Sequence, residues 1–201
     1  MDFIIPKKAI AHFKKNDKIL YDYIKSSPNP NRSINPDYFN ELVRSIIFQQ
    51  VSLKAGETIY ARLLDLVQIT PNVIMDTDRD TLQSIGISFR KVDYLKNLSL
   101  NVNSKEVDLE IIDSLTNEEI VKMITSVKGL GVWSAEMFLM FSLGRLDISS
   151  YNDLAIKRGI QYLYKLDSFP TKSEFKKFVE IWSPYNTIAS FYLWEASKKD
   201  A

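Results

Sequence analysis

An all-α fold is predicted for this 201-residue chain by three observations. Apolar residues recur at helical spacing almost throughout, alternating period-2 runs of any length are hard to find, and helix-start residues stand just ahead of the apolar runs. With 45% hydrophobic and 12% aromatic residues there is enough apolar surface to bury a core, in one domain or in two small ones.

Taken in order, the opening "MDFIIPKKAIAHFKKN" is a short apolar patch broken by Pro6 and followed by lysines. It fits neither a secretory h-region nor a membrane span, so the protein is expected inside the cell and off the membrane. "SSPNPNRSINPD", Ser26 to Asp37, is the clearest loop. In "YFNELVRSIIFQQ", Phe39, Leu42, Val43, Ile46 and Ile47 form one buried helical stripe. A second helix is expected from about Ser52 to Val67. Thr116 and Glu119 stand in capping-box spacing, which predicts a helix starting near Asn117, and Thr171 with Glu174 repeats the signal. Ser183 followed by Pro184 reads as a cap and a first helical residue opening the last helix.

Composition removes several chemistries. The absence of cysteine excludes disulfides, thiolate zinc sites and iron–sulfur clusters, and suits a reducing compartment. His12 is the only histidine, which argues against a histidine-rich metal site and against a Ser-His-Asp triad unless His12 itself were the base. Lys plus Arg is 26 against 25 for Asp plus Glu, so the net charge of +1 carries no global footprint of nucleic-acid binding. Any DNA-facing surface must be local.

"VKGLGVWSAEMFLMF", Val127 to Phe141, places two of the six glycines one residue apart between two amphipathic helices. Glycine permits positive φ and close approach, and the following helix presents unpaired N–H groups and its positive dipole end, a natural seat for a phosphate oxygen. A glycine C-cap followed by an ordinary helix–helix turn explains the same residues. Asp153, just ahead of "LAIKRGIQYL", reads as a helix N-cap. Basic clusters at Arg90, Lys91 and Lys96 and at Lys157 and Arg158 suit phosphate contacts or solvated helix faces equally.

Five blocks in order carry a wider likeness: "LVRSIIFQQVSLKAG", "SIGISFRKVDYLKNLS", "VKGLGVWSAEMFLMFSLGR", "NDLAIKRG" and "WSPYNTIASFYLW". Together they resemble the helix-hairpin-helix (HhH-GPD) DNA glycosylases, in their alkylation-repair branch of DNA-3-methyladenine glycosylase II type. The sequence departs from that pattern at Phe48, where glycine is common, at Lys128, where proline is common, and at Asn152 and Ala155, which replace Asp and Gly.

The resemblance implies two helical subdomains with a cleft between them, one of residues 36–148 with the hairpin motif at about 117–143, the other of residues 1–35 with 149–201. It makes Asp153 the essential carboxylate, compatible with its capping role because a helix N-terminus favours negative charge. Bifunctional relatives carry a nucleophilic lysine where Trp133 stands, so hydrolysis without strand nicking is expected. Trp133 and Trp194, with Tyr151 and Tyr185 behind them, become candidates for an aromatic pocket suited to a cationic methylated purine; plain core packing is the alternative for each. Gln50 and Gln49 fall at the family's wedge, which fills the gap left by an extruded nucleotide, although amides also serve as helix-end partners. Amides at Gly129, Gly131 and Ser134 are the phosphate candidates. Backbone carbonyls of Thr125, Val127 and Leu130 are the candidates for a structural sodium or potassium ion, with no other cofactor required. The expected partner is duplex DNA bearing alkylated bases, bound by a monomer in the cytoplasm, at the nucleoid or, in a eukaryote, in the nucleus. A non-catalytic damage-recognition module of the same fold, and a glycosylase for mispaired or oxidised bases, remain alternatives.

Overall fold

The structure, a computed structural model, describes residues 1–200 and divides into two compact units, Met1–Ile34 with Gly144–Ala201, and Asn35–Leu143. In chain order the first unit contributes α1 (Lys7–Asn16) and α2 (Lys18–Ser26). The second holds α3 (Tyr38–Phe48), α4 (Leu53–Leu66), α5 (Pro71–Asp76), α6 (Arg79–Ser84), α7 (Phe89–Asn103), α8 (Asn117–Ser126) and α9 (Val132–Phe141). The first then resumes with α10 (Leu154–Tyr164), α11 (Lys172–Trp182) and α12 (Asn186–Ser197). Among the described residues the only extended pairing is an isolated bridge between Asp2 and Ser33, so the all-α expectation holds. No helix among them is long and apolar enough to cross a membrane.

In the Asn35–Leu143 unit, the predicted stripe of α3 is buried: Phe39, Leu42, Val43, Ile46 and Ile47. Ser52 caps α4 through a bond from the Ala55 N–H, and Thr116 and Glu119 form the expected reciprocal box on α8. The centre of this unit is α7, packed against α3, α5 and α6. Two lysines of α7 work as braces toward different neighbours. Lys91 Nζ donates to the Ile47 carbonyl at 2.6 Å, and Lys96 Nζ donates to the carbonyls of Met75 and Thr77. Those carbonyls lie at the C-terminal ends of α3 and α5, where helices leave acceptors unpaired and favour cations. The two lysines are thus turned into the protein, leaving Arg90 as the exposed member of that cluster.

In the other unit, α12 is buried along most of its length, including the small polar residues Thr187 and Ser190. Its closest neighbour is α10. Gly159 makes the approach possible, since a Cβ there would lie 2.2 Å from the Leu193 carbonyl oxygen. The start of α12 differs from the sequence expectation. Ser183 caps the end of α11, a cis bond joins it to Pro184, and the helix begins at Asn186. Its first turn is satisfied from far along the chain: Asp147 Oδ1 accepts from the Asn186 N–H at 3.3 Å and side-chain amide at 2.5 Å, and the Leu146 carbonyl accepts from the Thr187 N–H. Asp147 Oδ2 also takes the Ser183 hydroxyl at 2.7 Å. A carboxylate already in place removes the need for a local serine cap.

A buried carboxylate ties α2 to α10 and α11. Asp17, 8% exposed, caps α2 and accepts from Trp182 Nε1 at 2.8 Å and from the Tyr164 hydroxyl. Burial first, and then the charge of Asp17, holds the Tyr164 hydroxyl well above the ordinary tyrosine range, so it stays a donor. Asp17→Ala strands both donors and removes a cap, and is expected to lower stability by about 2 kcal/mol. Urea unfolding should show a lower midpoint at unchanged slope.

Candidate functional site

The hairpin in the Asn35–Leu143 unit is built on α7. After α8 ends, the Leu130 N–H donates to the Val127 carbonyl at 3.1 Å, closing a tight turn. Gly129 sits at φ +98°, and a Cβ there would lie 2.4 Å from the Tyr94 ring. Both facts demand glycine. Gly131 differs. It has φ −111° and ψ 179°, open to any residue, and a Cβ would meet nothing within 4 Å. Nothing within the protein explains that glycine, whereas an approaching external group would. The contrast predicts that Gly129→Ala lowers the denaturation midpoint while Gly131→Ala leaves stability within about 0.5 kcal/mol of the parent.

Gly131 has no side chain with which to cap α9, and the first intrahelical bond runs from Ala135 N–H to the Gly131 carbonyl at 3.1 Å. The Ser134 amide, ahead of that bond, stands outside the helical ladder. Lys128 exploits its departure from proline, because its backbone N–H donates to Asn97 Oδ1 at 3.0 Å, a bond proline lacks the hydrogen to make. Phe48 is explained by Gly56. A Cβ at Gly56 would lie 2.7 Å from the Phe48 ring, whose face also carries the Arg44 guanidinium, 4.5 Å from the centroid.

The two glutamines separate. Gln49 is half-buried and its Nε2 donates to the Gly129 carbonyl at 2.7 Å, so it pins the end of α3 to the hairpin rather than projecting as a wedge. An orphan carbonyl in a tight turn needs such a donor. Gln50 is exposed, at φ +54°, with its Oε1 accepting from Arg90 Nη2 at 3.1 Å. Burial, aided by the neighbouring Arg90, pulls the Lys91 ammonium below the ordinary lysine range, and its bond to Ile47 holds the residue just ahead of this loop. Trp133, on the first turn of α9, is 44% exposed, an unusual position for an indole with only a packing role.

Among the described residues no three His, Cys, Asp or Glu side chains cluster to hold a metal ion. The hairpin backbone offers carbonyl oxygens instead. Thr125 lies in the last turn of α8, where carbonyls lack intrahelical donors, and the Val127 carbonyl keeps a lone pair beyond its bond to Leu130.

In the unit formed by residues 1–34 and 144–201, Asp153 caps α10, accepting from the Ile156 N–H at 3.0 Å. Trp194 Nε1 donates to the same oxygen at 3.3 Å, so indole and carboxylate are held side by side. The Trp194 ring stacks on Phe191, and Arg32 lies over both rings at 5.8 Å while bonding Glu195 at 2.7 Å. Arg32 comes from the loop after α2, and no local pattern announced its contact with Trp194. Tyr151 packs edge-on against Phe175 with Lys157 Nζ 4.9 Å from its ring centroid, close in sequence to Asp153. Tyr185 belongs elsewhere. It precedes α12 at the end remote from Trp194, about 13 Å away along the axis, and its ring contacts His12 and Phe13. His12 itself bonds the Ile181 carbonyl at 2.8 Å, a structural contact.

A family model described as "HhH-GPD superfamily base excision DNA repair protein" matches residues 43–184. DNA-3-methyladenine glycosylase 1 of Schizosaccharomyces pombe is 37% identical over 199 residues, covering 95% of this chain and 87% of that protein. The solved structure of S. pombe 3-methyladenine DNA glycosylase in complex with abasic DNA superposes with a TM-score of 0.85 at 35% identity, covering 96% of this chain and 97% of that one. A DNA-3-methyladenine glycosidase from Bacillus halodurans gives 0.87 at 31% identity, covering 98% of this chain and 91% of its own.

Proposed function

Since this chain belongs to the HhH-GPD superfamily of base excision DNA repair proteins, we propose that it is a monofunctional DNA glycosylase that hydrolytically releases N-alkylated purines such as 3-methyladenine and 7-methylguanine from duplex DNA. The observation that carries this reading is the Asp153–Trp194 pair, a carboxylate held at a helix N-terminus against an indole.

Breaking the N-glycosidic bond sends its electron pair to the purine nitrogen and leaves positive charge on the deoxyribose, an oxocarbenium-like centre. Asp153 stabilises that charge and orients the attacking water, taking its proton as oxygen bonds to C1′. An alkylated purine is already cationic, which makes it a good leaving group and favours stacking on electron-rich faces. Trp194 and Tyr151, in the unit that carries Asp153, supply such faces. Gly131 and Ser134 amides grip a phosphate, and Gln50 enters the helix behind the extruded nucleotide, whose extrusion costs a few kcal/mol. A sodium or potassium ion on the carbonyls of Thr125, Val127 and Leu130 would add positive charge beside that phosphate.

Purified protein is expected to release methylated purine and leave an abasic strand that breaks only on alkali treatment. Covalent trapping with borohydride should fail, because Trp133 offers no amine. Nicking without alkali, with a trapped adduct, would overturn the monofunctional assignment.

A further inference from the structure

Resting on the wedge role proposed for Gln50, we infer that Arg90 is a positioning residue that fixes which edge of the Gln50 amide meets the base left without a partner. Gln50 occupies the left-handed region at φ +54°, which L side chains rarely adopt, so its direction is set by its surroundings. The chain just ahead of Gln50 is fixed by two bonds. Lys91 holds the Ile47 carbonyl at 2.6 Å and Gln49 holds the Gly129 carbonyl at 2.7 Å. The amide itself has a carbonyl oxygen and an NH2 group that are nearly equal in shape and opposite in hydrogen-bonding sense.

Arg90 resolves that ambiguity. A guanidinium has five donors and no acceptor, so only the amide oxygen can face it, as the 3.1 Å bond from Nη2 to Oε1 shows. With the oxygen held by Arg90, Gln50 has its two N–H donors left for DNA. The protein therefore reads the base opposite the lesion through that base's acceptors. Thymine and cytosine both offer carbonyl oxygens; a difluorotoluene isostere of thymine keeps the shape and loses the acceptors.

The test is a double-mutant cycle on binding to a duplex carrying a tetrahydrofuran abasic analogue, with thymine or difluorotoluene opposite it. Binding needs no base release, so this readout stands apart from the glycosylase assay: loss of release with an intact cycle contradicts the enzyme reading alone. The parent should prefer thymine by about fivefold, the size of one hydrogen bond. Arg90→Met should weaken that preference, because the freed amide can turn either edge to the base, and Gln50→Leu should abolish it. In the Gln50→Leu background, Arg90→Met should change affinity no further at either duplex. Equal losses from Arg90→Met in both backgrounds, with a shallower salt dependence, would show Arg90 gripping a phosphate and would overturn the inference. A thymine preference left undiminished by Arg90→Met would overturn it as well. Unfolding midpoints of all three variants, expected to stay with the parent's, separate these results from misfolding.

Discussion

Asp153→Asn is expected to reduce base release by about 10²- to 10³-fold while leaving duplex binding and folding in place. Asparagine caps a helix as well as aspartate does, so its side-chain oxygen can keep the bonds from Ile156 N–H and Trp194 Nε1. The exchange therefore removes charge and basicity with little change of shape. On the proposed mechanism both are needed: charge against the oxocarbenium-like centre, basicity toward the attacking water. Single-turnover release from methylated duplex, with affinity for abasic-analogue duplex measured alongside, separates the two contributions. Equal release rates for parent and variant would remove Asp153 from the mechanism.

Gly159→Ala is expected to do the largest damage to the fold, about 3 kcal/mol, for one added methyl group. The new Cβ would lie 2.2 Å from the Leu193 carbonyl oxygen and 2.9 Å from its Cα. Those are backbone atoms of a buried helix and cannot rotate away, so α10 and α12 must separate. Activity should fall together with stability, because Asp153 stands at the start of α10 and Trp194 directly follows Leu193. Separating the helices lengthens the 3.3 Å bond that holds indole and carboxylate together. Denaturant unfolding checks the first effect, and base release well below the unfolding temperature checks the second. A midpoint unchanged from the parent would show that the crossing is not fixed by this contact.

Local chemistry made much of this molecule legible in advance. The capping boxes at Thr116 and Thr171, the α3 stripe, the hairpin glycines and the Asp153 cap all depend on residues within a few positions of each other, where spacing is information. What sequence reading missed was supplied across the fold. Asp147 opens α12 from 39 residues away, which makes the Ser183 cap unnecessary. Gln49 and Gln50 are adjacent and chemically identical, and only the Gly129 carbonyl and Arg90 assign them different tasks. The resemblance groups Tyr185 with Trp194 as pocket candidates, while the length of α12 sets them about 13 Å apart. The departures at Phe48 and Lys128 likewise acquire reasons only through Gly56 and Asn97.

The central claim is hydrolysis of alkylated purines, and one reaction tests it most directly. The protein is incubated with methylated duplex alongside duplexes containing ethenoadenine, hypoxanthine or 8-oxoguanine, and the released bases are separated and quantified. The account predicts that 3-methyladenine and 7-methylguanine appear first and that 8-oxoguanine is retained. Tight binding to abasic-site duplex with no base released over hours would contradict it, and would make the protein a damage-recognising module.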